Sequence, residues 1–269
     1  MPVLQCHGAD LYYEEHGEGH GQPIVFLHGA TAGLRYFESQ LTGLSDEFRA
    51  IAVDFRGHGR SEKTDRGHTF GQYARDVQAV LEGLDLETVV LAGWSMGALI
   101  SWEYVRQFGT DRLQALVDID MEPSPLKRPD YEYGTYERAD LQAGLETLQQ
   151  DPLGLLEEQA PMLLKEPPTR ELRNLIIDEG SRTPAAIQGS LTCGLSFLSD
   201  YRDILRSVDV PALVCAGADE KWRSVESVEY TAELIPDARF ELFEESGHCI
   251  TIEEPDRFNR VLSEFVGSL

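Results

Sequence analysis

From Pro23 onward the chain alternates short β-branched runs with longer amphipathic stretches. This alternation is typical of a parallel sheet flanked by helices. Two earlier segments, Val3–His7 and Leu11–Glu15, are predicted to form an antiparallel hairpin at the sheet edge. Six further runs predict buried strands, which makes eight in all: Ile24–His28, Phe48–Asp54, Thr88–Ala92, Leu113–Ile119, Ala212–Ala216 and Arg239–Phe243. Helical periodicity predicts four helices: Phe70–Leu84, Ser95–Phe108, Val225–Ile235 and Pro255–Val266.

The alternation is interrupted between Met121 and Ser196, where proline-punctuated helical pieces rich in Glu, Leu and Gln replace the strand pattern. We therefore predict a core of residues 1–120 and 197–269, with a helical lid at residues 121–196 inserted after the sixth strand. Such an insertion would lie over the carboxyl edge of the sheet, where open α/β sheets place their sites.

The net charge of the chain argues against two classes of partner. The 269 residues include 23 basic and 47 acidic side chains, a formal net charge of −24. This charge repels phosphate backbones and anionic membrane surfaces, so neither nucleic acid nor membrane is an expected partner. The N-terminal sequence has no basic region followed by an apolar stretch, and the four cysteines show no metal-type spacing. We expect a reduced, cytoplasmic protein, with no metal and no other cofactor.

Lysine occurs at four positions, and arginine supplies the remaining basic residues. Low lysine with excess carboxylate keeps a surface hydrated in concentrated salt, so a halophilic source is one hypothesis. An acidic mesophilic protein is the other.

A G-x-S-x-G sequence surrounds Ser95, spanning Gly93–Gly97. The bare motif is weakly specific, but it follows the apolar run Thr88–Ala92 and opens a helical pattern. This is the strand–turn–helix context of a nucleophile elbow, in which glycines allow a sharp turn. The context predicts that Ser95 is a nucleophile, whereas a serine that caps its own helix is the non-catalytic alternative.

A serine hydroxyl needs a base, and a histidine base needs an orienting carboxylate. His248 follows the last predicted strand and returns to the sheet edge of Ser95, so it is the predicted base. Asp219 follows the strand before it, and the order Ser95, Asp219, His248 matches this type of triad. Two other acids remain open as alternatives: Glu220, which is adjacent, and Asp120, which ends the sixth strand.

A tetrahedral intermediate also needs hydrogen-bond donors for its oxyanion. Ala30 lies in the loop after the first parallel strand, and Met96 follows the nucleophile. We predict that the backbone N–H groups of Ala30 and Met96 form the oxyanion hole.

Several segments together resemble the α/β-hydrolase superfamily: Phe26–Gly29, Asp54–Ser61, Gly93–Gly97, Ser246–His248 and Glu254–Pro255. Within it, the chain looks most like the small cofactor-free group of non-haem haloperoxidases, perhydrolases, arylesterases and lactonases. The resemblance implies an α/β-hydrolase fold and Ser–Asp–His machinery. The chain departs from the family pattern at two places that bear on its function. Ala30 and Thr31 stand where perhydrolases commonly carry a bulky aromatic residue and proline, and Glu220 holds the usual position of the acid, three residues after Gly217.

The expected function is cleavage of small neutral carboxylic esters or lactones through an acyl-enzyme. A perhydrolase or haloperoxidase-type reaction and C–C bond hydrolysis use the same triad and remain alternatives. A non-catalytic ligand receptor on the same fold is the alternative of a different class.

Overall fold

The computed structural model describes residues 2–197 and 199–269. Eight strands within these residues form one sheet. They are β1 (Val3–Cys6), β2 (Ala9–His16), β3 (Pro23–Leu27), β4 (Arg49–Val53), β5 (Val89–Trp94), β6 (Leu113–Ile119), β7 (Ala212–Gly217) and β8 (Ala238–Phe243). Their order across the sheet is β1-β2-β4-β3-β5-β6-β7-β8.

The pairing directions follow the sequence prediction. β1 pairs antiparallel with β2, and β2 pairs antiparallel with β4, so the hairpin lies at one edge. Every other neighbouring pair is parallel. Parallel strands covered on both faces are nearly continuous apolar runs, and all six residues of β5 are buried. The predicted mostly parallel, eight-stranded sheet is confirmed.

Eleven α-helices lie within the described residues. They are α1 (Glu38–Gly43), α2 (Phe70–Gly83), α3 (Met96–Phe108), α4 (Arg138–Gln150), α5 (Pro152–Gln159), α6 (Arg170–Ser181), α7 (Ala185–Phe197), α8 (Arg202–Leu205), α9 (Val225–Leu234), α10 (Ile250–Glu253) and α11 (Pro255–Val266). Helices α2, α3 and α9 pack on one face of the sheet, whereas α1 and α11 pack on the other. None of these helices combines the length and apolar character that a bilayer span requires.

The four predicted helices are present, with one informative difference. The prediction began a helix at Ser95, but α3 begins at Met96 and leaves Ser95 in the turn after β5. Helices α1 and α10, of six and four residues, are too short to show a helical period and were not predicted.

Helices α4 to α7 occupy the chain between β6 and β7, in the region where the sequence predicts an inserted lid. We call residues 121–196 the insertion. Apolar side chains of α4, α5, α6 and α7 face a cavity that also reaches the carboxyl end of β5. The insertion therefore forms one wall of that cavity, and the edge of the sheet forms another.

Candidate active site

The turn that carries Ser95 is strained in the way a nucleophile elbow requires. Ser95 has φ 54° and ψ −119°, a left-handed conformation that is costly for a residue with a Cβ. Its N–H donates to the Ile119 carbonyl at 2.9 Å, which ties the turn to the neighbouring strand β6. A Cβ on Gly93 would overlap the backbone of Gly97, and one on Gly97 would overlap the Leu27 carbonyl. The two motif glycines are therefore required by close backbone approach.

Ser95 opens into a cavity of about 290 Å³. The wall from the sheet edge includes Ala30, Trp94, Ser95 and His248. The wall from the insertion is dominated by aliphatic side chains: Leu141, Leu148, Leu155, Leu156, Leu163, Ile176, Leu191 and Leu195. The structure thus brings the predicted nucleophile and the predicted base to one largely apolar cavity.

His248 is fixed at this edge by two tryptophans. The indole N–H of Trp94 donates to the His248 carbonyl at 2.8 Å. The Trp222 ring meets the imidazole edge-on, with ring centroids 5.5 Å apart. The His248 side chain is only 3% exposed, so these contacts limit both its movement and its access to water.

Two buried carboxylates reach the inner nitrogen of His248. Its Nδ1 lies 2.6 Å from Oδ2 of Asp120 and 2.8 Å from Oε2 of Glu220. Their side chains are 0% and 1% exposed. An Nδ1–H that donates to a carboxylate leaves Nε2 free to accept a proton, which is the tautomer a general base requires.

Asp219, the acid preferred from sequence, is not brought to His248. Its carboxylate is 48% exposed and pairs with Nζ of Lys165 at 3.0 Å. The backbone after β7 turns Glu220 inward, where its Oε1 accepts from the N–H groups of Lys221 and Trp222 at 2.7 and 2.8 Å. The two alternative acids of the sequence analysis, Asp120 and Glu220, therefore occupy the position expected for Asp219.

Sequence reasoning missed Arg223 and Glu122, which extend this cluster. Nη1 of Arg223 donates to Oε2 of Glu220 at 2.8 Å and to the Asp120 carbonyl at 3.2 Å. Its Nε donates to Glu122, whose other oxygen accepts from the Thr135 hydroxyl at 2.7 Å. The signal was weak, because nothing in the sequence distinguishes a buried arginine three residues after Glu220 from a surface one.

The surroundings shift the pKa values of Asp120 and Glu220 in opposite directions. Burial, and then the charge of Glu220, raise the pKa of Asp120 to about 7. Burial also acts to raise the pKa of Glu220, but His248 and Arg223 outweigh it and hold that pKa well below its usual value. Burial acts to lower the pKa of His248, yet the charge of Glu220 and the hydrogen bonds to both carboxyl groups leave it raised.

The predicted oxyanion donors lie close to Ser95. Met96 is the first residue of α3, so its N–H is at the positive end of the helix dipole. Ala30 lines the cavity beside Ser95. Within the described part of the chain, neither backbone N–H donates a hydrogen bond to another group.

Asp120, Glu220 and His248 are also the one group among the described residues whose ligand atoms come close enough to hold a metal ion, within 4.8 Å of one another. The Arg223 guanidinium already contacts all three, at 2.8 Å from Glu220, 2.8 Å from Nδ1 of His248 and 3.7 Å from Asp120. A fixed cation in this place repels a second one, so the donor set does not suit a metal ion.

The other buried histidines, His28 and His58, form hydrogen bonds with backbone groups. Nε2 of His28 accepts from the Phe55 N–H at 3.1 Å, and Nδ1 of His58 lies 3.1 Å from the Arg56 carbonyl. Burial lowers the pKa of His28 to about 4, so it remains neutral.

Comparison with known proteins agrees with this architecture. The AB hydrolase superfamily protein YisY of Bacillus subtilis is 30% identical over 257 residues, covering 93% of each chain. A solved esterase from Exiguobacterium antarcticum superposes with a TM-score of 0.92 at 28% identity, covering 98% of each chain. The bromoperoxidase of Bacillus anthracis gives a TM-score of 0.91 at 26% identity, covering 99% of each chain.

The family model for the alpha/beta hydrolase fold matches residues 22–255, a span that runs from the start of β3 to the start of α11 and contains Ser95, Asp120, Glu220 and His248. The chain belongs to the α/β-hydrolase family.

Proposed function

We propose that the protein is a serine hydrolase that cleaves small neutral carboxylic esters or lactones through an acyl-enzyme. One observation carries the proposal. Ser95, on a strained turn, lines the same cavity as His248, whose Nδ1 contacts buried carboxylates. A serine on a strained elbow and a base oriented by a carboxylate are the arrangement that this chemistry uses.

The reaction begins when Oγ of Ser95 attacks the ester carbonyl carbon and its proton passes to Nε2 of His248. The N–H groups of Ala30 and Met96 hold the oxyanion of the tetrahedral intermediate. The bond to the alcohol then breaks, and the alcohol leaves with the proton from Nε2. Water repeats the sequence on the acyl-enzyme, which releases the carboxylic acid and returns the proton to Ser95.

The cavity supports a small neutral substrate. Its volume of about 290 Å³ lies at the lower end of the usual range for ligand pockets. Leucines of α4, α5 and α7 give it an apolar wall, which suits an aliphatic acyl group. Arg223 lines the cavity, but Glu122 and Glu220 pair with its guanidinium and Asp140 also lines the cavity, so an acyl group with its own negative charge would be repelled. In this proposal the insertion acts as a lid that sets acyl size.

The test is the hydrolysis of p-nitrophenyl acetate and p-nitrophenyl butyrate by the wild type and by Ser95→Ala. We expect turnover by the wild type and a loss of about 10⁴-fold or more in the variant. Equal rates in the two proteins would refute the acyl-enzyme route. A higher kcat/KM for long-chain esters than for butyrate would refute the small-substrate proposal.

A further inference from the structure

We infer that His248 is oriented by two interchangeable carboxylates, Asp120 and Glu220, which share one proton, so that either one suffices when the other is removed. The inference rests on the proposed function, since it concerns the base of that same site. A pair of acids would then do what a single acid does in a Ser–Asp–His triad.

The two carboxylates reach His248 from different strands. Asp120 directly follows β6, and Glu220 lies three residues after the end of β7. These strands are parallel neighbours, so their carboxyl ends meet at one edge of the sheet. The two distances to Nδ1, 2.6 and 2.8 Å, are both hydrogen-bond distances. Both carboxylates therefore contact the histidine directly.

Buried carboxyl groups that meet at one atom cannot both be ionised without a large cost, so one of them holds a proton. The hydrogen bonds indicate which one. Glu220 accepts from the Arg223 guanidinium at 2.8 Å and from two backbone N–H groups, all of which stabilise a carboxylate. Asp120 accepts from the Gly217 N–H at 3.3 Å. Glu220 is therefore the ionised member, and Asp120 carries the proton.

The backbone holds Asp120 in place at a conformational cost. Its φ is 55°, in the left-handed region, and its N–H donates to the Cys215 carbonyl at 2.8 Å. Strain of this kind persists only where the surrounding structure determines it, and it concentrates at functional sites. Among the described residues, Thr31, Ser95 and Asp120 all have positive φ and lie at this edge of the sheet. The position of Asp120 is thus fixed in the same manner as that of the nucleophile.

Removal of either carboxylate leaves a competent partner. Without Asp120, the ion pair of Glu220 with Arg223 remains and still faces Nδ1. Without Glu220, Asp120 loses the like charge that opposes its ionisation, and Arg223 lies 3.7 Å from its Oδ2. Asp120 then ionises and takes over. Loss of both leaves no carboxylate at Nδ1 among the described residues.

The charged or titratable groups that bear on His248 belong to several elements. Asp120, Glu220 and Arg223 act on His248 directly. Glu122 and Tyr136 act on Arg223, and Glu253 acts on Cys249, which follows His248 in the chain. Asp120 and Glu220 are the two acids in this set that contact the imidazole. A negative charge stabilises the protonated imidazole and raises its pKa, so loss of both carboxylates must lower that pKa.

The experiment compares Asp120→Asn, Glu220→Gln and the double variant, with Asp203→Asn as the matched control. The Asp203 side chain is 99% exposed and pairs with Arg206. Two quantities are measured on the full chain: kcat/KM with p-nitrophenyl butyrate and the pKa of His248 by NMR titration. We expect each single variant to keep kcat/KM within about tenfold of the control, while the double variant loses about 10³–10⁴-fold. The His248 pKa should fall in the double variant and remain raised in Glu220→Gln.

A single variant that remains folded but loses as much activity as the double variant would overturn the inference. So would a double variant that keeps its activity. If the double variant fails to fold, the single variants decide: both within about tenfold supports the pair, and a thousandfold loss in either overturns it. The NMR titration separates this outcome from failure of the proposed function, because the His248 pKa does not depend on which substrate is cleaved.

Discussion

The sheet edge and the insertion form opposite walls of one cavity, and they do so with different chemistry. The edge contributes polar atoms whose positions are set by the backbone: the strained Ser95, the tethered His248 and carboxylates at the ends of β6 and β7. The insertion contributes mainly leucine and isoleucine side chains from helices packed on one another. In the proposed mechanism the edge therefore carries out the reaction, whereas the insertion limits the size of the group that can be bound.

A pair of glycine substitutions tests this comparison most severely. In Gly97→Ala, the new Cβ would overlap the Leu27 carbonyl, a backbone atom that cannot move without shifting β3. We expect a loss of about 3 kcal/mol in the free energy of unfolding and about 10²-fold in kcat/KM, because the elbow is displaced. Chemical denaturation and ester hydrolysis measure the two effects.

The matched control for that change is Gly189→Ala, in helix α7 of the insertion. There the new Cβ would lie 3.8 Å from Leu145 and Leu148, an ordinary contact. Alanine favours a helix over glycine by about 1 kcal/mol, so this variant should be at least as stable as the wild type. Equal destabilisation by both substitutions would contradict the difference between the two regions.

A smaller effect is expected from filling the cavity on the side of the insertion. Leu148 of α4 lines the cavity and is 4% exposed, so Leu148→Phe reduces the space for an acyl chain. We expect kcat/KM for p-nitrophenyl butyrate to fall about tenfold relative to acetate, the size of effect that one or two methylenes have in an apolar pocket. Leu153→Phe, at a side chain 48% exposed, is the control. An unchanged ratio of butyrate to acetate would show that the insertion does not select acyl size.

The smallest effect is expected at an exposed carboxylate that does not line the cavity. Asp219 is paired with Lys165 at the surface, and exposed pairs of this kind contribute little. Asp219→Asn should therefore keep kcat/KM within about twofold of the wild type. A loss of about a thousandfold would restore Asp219 as the acid of the triad.

The contrast between Asp219 and its neighbour shows where sequence prediction ends. The strands, the turn at Ser95 and the loop of His248 follow from apolar runs and motif spacing, which are local properties. The choice between Asp219 and Glu220 depends on how one loop turns after β7, and it places adjacent residues on opposite sides. The positive φ of Asp120 and the burial of Arg223 arise from tertiary packing. The spacing from Gly217 favoured Glu220, but the sequence could not show which of the two side chains turns inward.

The central claim is that Ser95 is the nucleophile of an acyl-transfer site. The most direct test is titration of the protein with a p-nitrophenyl alkylphosphonate, which transfers its phosphonyl group to an activated serine and releases p-nitrophenol. We expect one equivalent of p-nitrophenol per chain, a label on the peptide that contains Ser95, and esterase activity that falls in proportion to labelling. Esterase activity that survives complete labelling of Ser95, or a label located elsewhere, would contradict the claim.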